Sequence, residues 1–225
     1  MKQKKAPQIT GTLRKFALRI PEIINECSGI EIFGKLIKSI VFSTDVSIIT
    51  NINADAVIAV YPFTPQPIIT EAIMCAANIP VFSGIGGGLT QGSRVVNLAL
   101  FAEMQGAFGV VVNAPTSNDV IRQVVEKIDI PLIVTIVNDS AGIAERISAG
   151  ASILNISAAQ RTPELVAKIR KDFPNVPIIA TGGPTDESIR ETIEAGANAI
   201  TYTPPSSGEV FKSIMQAYRE NKPHP

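Results

Sequence analysis

An internal repeat of two short signatures restricts the fold of this chain more than any other pattern in it. The first signature is a β-branched residue followed by Pro and an apolar residue, and its three prolines lie 51 and 46 residues apart. The second is a Gly-Ala pair, whose three glycines lie 44 and 46 residues apart. Pro at the first position of a strand loses no ladder hydrogen bond, and Gly after a helix can adopt the left-handed conformation. Each repeat therefore predicts the end of a helix and the start of a strand. The residues are Pro80, Pro131, Pro177, Gly106, Gly150 and Gly196.

The apolar runs between these signatures are continuous rather than alternating, which is typical of parallel strands covered on both faces. Strand–helix alternation repeated eight times predicts an α/β fold, a single (β/α)8 (TIM) barrel. An open doubly wound sheet is the alternative, but it does not account for the repeat. The predicted strands cover residues 38–44, 56–61, 80–83, 108–113, 131–137, 152–156, 177–181 and 198–202.

The 225 residues divide into an N-terminal extension, residues 1–37, and the barrel, residues 38–225. Within the extension, residues 21–27 are helix-like, and residues 31–37 read as a hairpin that turns at Gly34-Lys35. We expect the extension to close the bottom of the barrel or to make a subunit contact. The second alternative would make the protein a homo-oligomer.

Composition excludes several classes of partner. The chain has 20 Lys+Arg and 20 Asp+Glu, so it lacks the excess positive charge that drives nucleic-acid binding. No apolar run reaches the ~18–20 residues that span a bilayer, so we expect no membrane association. The basic N-terminus leads into no apolar stretch of a signal peptide, and we expect a cytoplasmic protein.

Chemistry in (β/α)8 barrels is performed at the carboxyl ends of the strands. No Lys, His, Cys or Glu ends a predicted strand, which argues against a Schiff base, a Ser-His-Asp triad or a multi-histidine zinc site. The candidate acid–base residues are Asp45 and Asp139, with Tyr61 as a weaker one, because an apolar mouth raises the pKa of a carboxyl group toward neutrality. The alternative for both aspartates is a helix N-cap worth ~1 kcal/mol.

Two loops are candidates for phosphate binding. Thr181, Gly182 and Gly183 follow the seventh strand, and Thr203 and Ser206 follow the eighth. Phosphate-binding barrels expose backbone N–H groups and the start of a short helix at these positions. The alternative is that these residues only turn the chain.

A glycine run over residues 84–88 follows the third strand. It lacks the Gly-Lys-Ser/Thr of a P-loop, so we interpret Gly86 and Gly87 as part of a carboxylate cradle or a flexible gate. Two arginines on the upper face of the barrel can each form two parallel hydrogen bonds with a carboxylate or phosphate. Two asparagines lie at the ends of predicted strands. These four further candidates are Arg94, Arg161, Asn113 and Asn155.

From about Val81 onward, the glycine run and the Pro177–Gly183 segment resemble 2-keto-3-deoxy-phosphogluconate aldolase-type barrels and, more loosely, the phosphate-binding barrel superfamily. The resemblance implies the barrel fold and a phosphate site at Gly182 and Gly183. Asn155 stands where that family carries its Schiff-base lysine, and residues 61–63 stand where it carries a catalytic glutamate, so the aldolase chemistry is not implied. The chain is also similar to bacterial barrel proteins loosely labelled hydrolases.

Three functions remain open. The first is a lyase or isomerase that acts on a small phosphorylated or carboxylated ligand by proton transfer at Asp45 or Asp139, without a Schiff base. The second is a non-catalytic barrel that senses a metabolite. The third is a hydrolase in which Asp45 and Asp139 hold a divalent ion such as Mg²⁺, which would be the one cofactor.

Overall fold

The computed structural model describes residues 7, 9, 11, 18–140 and 142–224. Eight parallel strands close into a barrel in the order β10-β3-β4-β5-β6-β7-β8-β9, which confirms the predicted (β/α)8 barrel. Two further strands form an antiparallel hairpin before the barrel. The strands are β1 (Ile30–Ile32), β2 (Lys35–Ile37), β3 (Ser39–Phe42), β4 (Ala56–Ala59), β5 (Val81–Gly86), β6 (Gly109–Val112), β7 (Leu132–Ile136), β8 (Ile153–Ile156), β9 (Ile178–Thr181) and β10 (Ala199–Tyr202).

One α-helix follows each barrel strand, as expected for this fold. None of the helices in the described ranges combines the length and the apolarity needed to cross a membrane. The helices are α1 (Val46–Ile49), α2 (Pro67–Ala76), α3 (Ser93–Met104), α4 (Asn118–Val125), α5 (Ile143–Ser148), α6 (Thr162–Asp172), α7 (Asp186–Glu194) and α8 (Ser207–Arg219). Short 3₁₀ helices cover Glu22–Glu26 and Ala159–Arg161.

All eight predicted barrel strands are present, and one boundary differs in a way that matters for function. The third predicted strand ends at residue 83, but β5 continues through the glycine run to Gly86. Gly86 pairs with Val112 of β6 across a register shift, and its carbonyl accepts the N–H of Asn113 at 2.9 Å. The glycine run is therefore partly strand, because its backbone still pairs with β6.

The strands bury both faces, which explains their continuous apolar sequence. One core cluster lies between the barrel and the helices, and a second fills the barrel interior. In β10, for example, Ala199 belongs to the interior cluster and Ile200 to the outer one. Because side chains alternate along a strand, Thr201 then points back into the barrel.

The hairpin lies at the amino-terminal end of the barrel. Ile30, Ile32 and Ile37 belong to the interior cluster together with the first inward-facing residues of the barrel strands. The turn is at Phe33 and Gly34, which both have positive φ, and not at Gly34-Lys35 as the sequence predicts. The part of the extension at residues 1–6, 8, 10 and 12–17 lies outside the described residues, and the division at residue 37 stays a prediction.

Candidate functional site

A cavity of about 300 Å³ opens at the carboxyl ends of β4, β5 and β6. We call it the mouth pocket. Its walls are the loop after β4, the glycine run and the end of β6, so three consecutive strands contribute to it. Its lining residues are Val60, Tyr61, Pro62, Phe63, Thr64, Pro65, Gly84, Gly86, Gly88, Leu89, Thr90, Val111 and Asn113.

The glycine run forms one wall of the mouth pocket, and two of its positions, Gly86 and Gly87, have no room for a side chain. Gly87 has a φ of +100°, and a Cβ at this position would lie 2.7 Å from the backbone N of Asn113 and 2.5 Å from Thr116 Oγ1. Gly86 also has a positive φ, and its Cβ would lie 2.9 Å from the carbonyl of Thr90. The loop therefore packs directly onto the end of β6, where a side chain would separate the two.

Tyr61 and Asn113 are the predicted site residues with functional side chains that line this pocket. The Oη of half-buried Tyr61 accepts the backbone N–H of Gln66 at 2.7 Å, which orients the ring against the start of α2. Half-buried Asn113 lies on the opposite wall, at the end of β6. Arg94, in the first turn of α3, is exposed and forms no ion pair with another described residue.

The helices that begin around the barrel mouth differ in the capping and acidic residues at their N-termini. Helix α2 begins after Gln66 and α3 after Gly92, and neither has a side-chain cap or an acidic residue in its first turn. Each of the other six α-helices in the described ranges begins with a side-chain cap, an acidic residue or both. The partial positive charge of a helix N-terminus is therefore uncompensated at α2 and α3, and the loops that precede these two helices line the mouth pocket.

Asp45 is the N-cap of α1. Its carboxylate accepts the N–H groups of Ser47 and Ile48 at 2.9 and 3.3 Å and the hydroxyl of Ser47 at 2.7 Å. It also accepts the hydroxyl of Ser207 at the start of α8. The hydrogen bond from the Ser47 hydroxyl, followed by those from the backbone, lowers the pKa of Asp45 from its ordinary value. The capping alternative from the sequence is thus realised in the structure.

Asp139 lies on the rim, 3.5 Å from Lys168 Nζ and 3.8 Å from the guanidinium of Arg161. A hydrogen bond from its own backbone N–H, followed by Lys168 and Arg161, lowers the pKa of Asp139. Arg161 also pairs with Glu164 at 3.2 Å, and this carboxylate, followed by Asp139, raises the Arg161 pKa. Two predicted site residues, Asp139 and Arg161, therefore neutralise each other.

The two aspartates cannot share a metal ion. Asp45 follows β3 and Asp139 follows β7, and these strands lie on opposite sides of the eight-stranded barrel. Among the residues that the structure describes, no group of three or more His, Cys, Asp or Glu side chains could hold a metal ion. The structure therefore gives no support to one Mg²⁺ held by Asp45 and Asp139, and a divalent metal stays a prediction.

The predicted phosphate loop after β9 borders a separate cavity of about 430 Å³ between the starts of α6 and α7. Thr181, Gly182 and Gly183 line it, together with Glu191. Gly183 has a φ of +81°, and a Cβ there would lie 2.6 Å from Ser188 Oγ, the hydroxyl of the α7 capping box. Packing against Ser188 therefore accounts for Gly183 without a ligand, and the cavity is also lined by a carboxylate-bearing residue, exposed Glu191 of α7.

The predicted phosphate residues after β10 are also engaged. Ser206 is the N-cap of α8, and Glu209 Oε2 accepts the Ser206 N–H at 2.8 Å in a capping box. Exposed Thr203 precedes this cap in the loop. With Glu209 and Asp45 both at the first turn of α8, two carboxylates already occupy the positive end of this helix.

The sequence analysis missed Arg146 and the inward-facing threonines Thr135 and Thr201. Arg146 of α5 donates to the carbonyls of Ala114, at 2.7 Å, and Thr116, and burial lowers its pKa. It thereby fixes the loop that follows Asn113. The threonines follow the alternation of β7 and β10, and Thr135 accepts a hydrogen bond from predicted Asn155 at 3.3 Å.

No protein-family model matches the chain, and no curated protein sequence matches it significantly. Solved structures do match. A crystal structure of 2,3-dimethylmalate lyase, a PEP mutase/isocitrate lyase superfamily member, aligns with a TM-score of 0.62 at 14% identity over 93% of this chain and 85% of the lyase. Phosphonopyruvate hydrolase in complex with oxalate and Mg²⁺ aligns with a TM-score of 0.61 at 15% identity over 82% and 83% of the two chains.

A third solved structure is a regulator. The glycerol uptake operon antiterminator regulatory protein of Listeria monocytogenes str. 4b F2365 aligns with a TM-score of 0.58 at 16% identity, over 75% of this chain and 93% of that protein. These structures do not support the specific likeness to 2-keto-3-deoxy-phosphogluconate aldolase-type barrels. At such identities they show that the chain has the (β/α)8-barrel fold that these lyase, hydrolase and regulatory proteins share.

Proposed function

We propose that this chain is a lyase or isomerase that binds a small phosphorylated or carboxylated metabolite in the mouth pocket. The observation that carries the proposal is that the pocket is lined by the loops that lead into α2 and α3, the two α-helices of the described ranges with neither cap nor first-turn acid. Helix N-termini of this kind favour anions.

The charges around the mouth pocket agree with an anionic ligand. Its lining residues include no carboxylate, and exposed Arg94 stands in the first turn of α3. A guanidinium can pair with a carboxylate or phosphate through two parallel hydrogen bonds. One of the similar solved structures, phosphonopyruvate hydrolase, is a complex with oxalate and Mg²⁺, and oxalate is a small ligand of this charge class.

Tyr61 is the titratable side chain among the lining residues of the pocket, and we assign proton transfer to it. The sequence-based hypothesis gives this role to Asp45 or Asp139. Both carboxylates hold other groups and have lowered pKa values, which makes them weak bases at neutral pH. Tyr61 Oη accepts one hydrogen bond from the Gln66 N–H, so its O–H group can still donate a hydrogen bond to a ligand.

Substitution of Tyr61 separates binding from turnover. We expect Tyr61→Phe to bind the ligand of the wild-type protein and to turn it over about 10²–10⁴-fold more slowly, the usual contribution of a positioned acid or base. Binding is measured first by thermal unfolding against phosphate, sugar phosphates, keto-acid phosphates and oxalate. A ligand at 100 times its Kd stabilises the protein by about 2.7 kcal/mol. Turnover is then followed by NMR with each compound that binds.

Asp139→Asn serves as the matched control, since we expect it to retain turnover. Equal turnover by Tyr61→Phe and the wild-type protein would remove the role of Tyr61. If no anion of the panel stabilises the wild-type protein, the pocket assignment itself is wrong.

Metabolite sensing is the second candidate function. The observation that favours it is that the inward-facing polar side chains of the mouth, such as Asn113 and Asn155, are uncharged amides and hydroxyls suited to binding. One of the similar solved structures is a regulatory protein. Tight binding without turnover by the wild-type protein would favour this candidate over the lyase or isomerase.

A further inference from the structure

The half of the barrel mouth formed by β7–β10 has a different chemistry from the mouth pocket. Each of these four strands has, at its last or last-but-one position, an uncharged polar residue that faces the barrel axis. We call the four the inner polar cluster. Its members are Thr135, Asn155, Thr181 and Thr201.

Their direction follows from strand alternation. In each strand, the residue two positions earlier belongs to the interior core cluster, and the residue between them belongs to the outer one. The interior residues are Ile133, Ile153, Ile179 and Ala199, and the outer ones are Val134, Leu154, Ala180 and Ile200. The inner polar cluster therefore lies directly above the apolar interior of the barrel.

The hydrogen-bonding groups of the inner polar cluster are only partly paired within the protein. Asn155 Nδ2 donates to Thr135 Oγ1 at 3.3 Å, and Thr181 Oγ1 donates to Ser157 Oγ at 3.4 Å. Asn155 Oδ1 and Thr201 Oγ1 are buried and have no hydrogen-bond partner in the described part of the chain. Thr201 is 7% exposed.

An unpaired buried hydroxyl destabilises a folded protein, and Val has nearly the shape of Thr without that cost. The unpaired atoms at 155 and 201 both face the barrel axis, on strands that lie across it from β4 and β6 of the mouth pocket. A ligand that is held in the mouth pocket and reaches across the barrel axis would therefore meet them.

We propose that the inner polar cluster binds the hydroxyl-bearing end of the ligand, and this proposal rests on the proposed function, which places the anionic end in the mouth pocket. Asn155 Oδ1 only accepts hydrogen bonds, whereas Thr201 Oγ1 donates and accepts. A carboxylate or phosphodianion has no proton for Asn155, but a hydroxyl pairs with both side chains. The ligand class is a polyhydroxylated acid or phosphate of the sugar-derived type.

Matched compound pairs test the hydroxyl requirement. The first pair is sn-glycerol 3-phosphate and propyl phosphate, which share the three-carbon chain and the phosphate but differ in two hydroxyls. The second is gluconate and hexanoate. We expect the wild-type protein to bind at least one hydroxylated member about fivefold or more tightly than its partner, the size of one net hydrogen bond. Binding is measured by calorimetry and thermal unfolding.

Substitutions test the two unpaired atoms directly. We expect Thr201→Val to raise the Tm of the ligand-free protein, because it removes an unpaired buried hydroxyl, and to abolish the preference for the hydroxylated compound. Thr192→Val is the control, since Thr192 is also buried but its hydroxyl donates to the Ser188 carbonyl at 2.8 Å. That variant should lower the Tm and keep the preference. Asn155→Leu tests the second atom in the same way.

The outcomes separate the two proposals. Equal binding of both members of each pair would overturn hydroxyl recognition and leave the mouth pocket standing. A lower Tm for Thr201→Val would show that this hydroxyl is paired within the protein, which also overturns the inference. Failure of the wild-type protein to bind any of the four compounds, or any anion of the earlier panel, would overturn the pocket and the inference together.

Discussion

Asp45 joins two elements of the barrel mouth through one carboxylate. It caps α1 through Ser47 and Ile48 and accepts the hydroxyl of Ser207 at the start of α8. These bonds favour the ionised form and lower the pKa of Asp45. We therefore regard Asp45 as a structural residue that links α1 to α8. Its contribution to the stability of the folded protein depends on its negative charge.

This charge dependence makes a prediction about pH. Because the folded-state pKa of Asp45 is below its unfolded value of about 3.9, the residue stabilises the protein above that pH and loses this contribution as the pH falls through the folded-state pKa. Asp45→Ala should therefore lower the free energy of unfolding at pH 7 by about 0.5–2 kcal/mol, the range of a lost cap, and by less at pH 3. Urea unfolding at the two pH values measures both, and an equal loss at pH 3 and pH 7 would contradict it.

The sequence placed Tyr61, Asn113 and Gly86 at strand ends, and the structure brings these three into one pocket. It did not single out Thr135 or Thr201. Both faces of these strands are buried, so the sequence shows no alternation that would tell an inward residue from an outward one. Only the closed barrel defines which side chains meet at its axis.

The glycine run is predicted as a loop, but part of it forms a strand in the structure. Its first three residues continue β5, and Gly87 then turns onto the end of β6 under the constraint of Thr116 and Asn113. The loop therefore belongs to the wall of the pocket, and its position is set by backbone packing. The sequence predicted a cradle or a gate here, and the cradle stays the better hypothesis because the close contacts leave little room for movement at Gly87.

Two adjacent glycines provide a matched test of this element. A Cβ at Gly87 meets backbone and hydroxyl atoms at 2.5–2.8 Å, whereas a Cβ at Gly88 meets nothing within 4 Å. We expect Gly87→Ala to lower the free energy of unfolding by about 1–3 kcal/mol and to weaken ligand binding, because the loop must move away from β6. Because Gly88 also lines the mouth pocket, the two variants are compared by denaturant unfolding, in which Gly88→Ala should be close to neutral. Equal effects of the two variants would show that the loop is not packed as described.

The molecule as a whole is organised around two apolar clusters, one inside the barrel and one outside it. The hairpin β1–β2 completes the interior cluster from below, with Ile30, Ile32 and Ile37. Phe33 at the turn also contacts Phe108 edge to face, with ring centroids 5.3 Å apart. The described part of the extension is thus continuous with the barrel core, so we expect hairpin and barrel to unfold in one transition.

Substitutions in the hairpin measure this coupling. Ile32 is buried and Leu36 is 54% exposed on the same hairpin. We expect Ile32→Ala to lower the free energy of global unfolding by about 2–5 kcal/mol, the range for a buried Ile or Leu truncated to Ala, and Leu36→Ala to lower it much less. Hydrogen exchange followed by mass spectrometry should show that Ile32→Ala accelerates exchange in the barrel strands as well. Acceleration confined to the hairpin would show that it unfolds separately from the barrel.

The sequence by itself determined the fold, because the repeated Pro and Gly-Ala signatures and the continuous apolar runs specify alternating strands and helices in a parallel sheet. It also determined which residues stand at the carboxyl ends of the strands. Only the tertiary structure decided which of them act together. Asp45 and Asp139 are separated by the width of the barrel, and the loops after β9 and β10 lie beside carboxylates. The mouth pocket is formed by contacts between residues far apart in the chain. Local sequence patterns do not show which side chains come close in space or which charges lie next to each other.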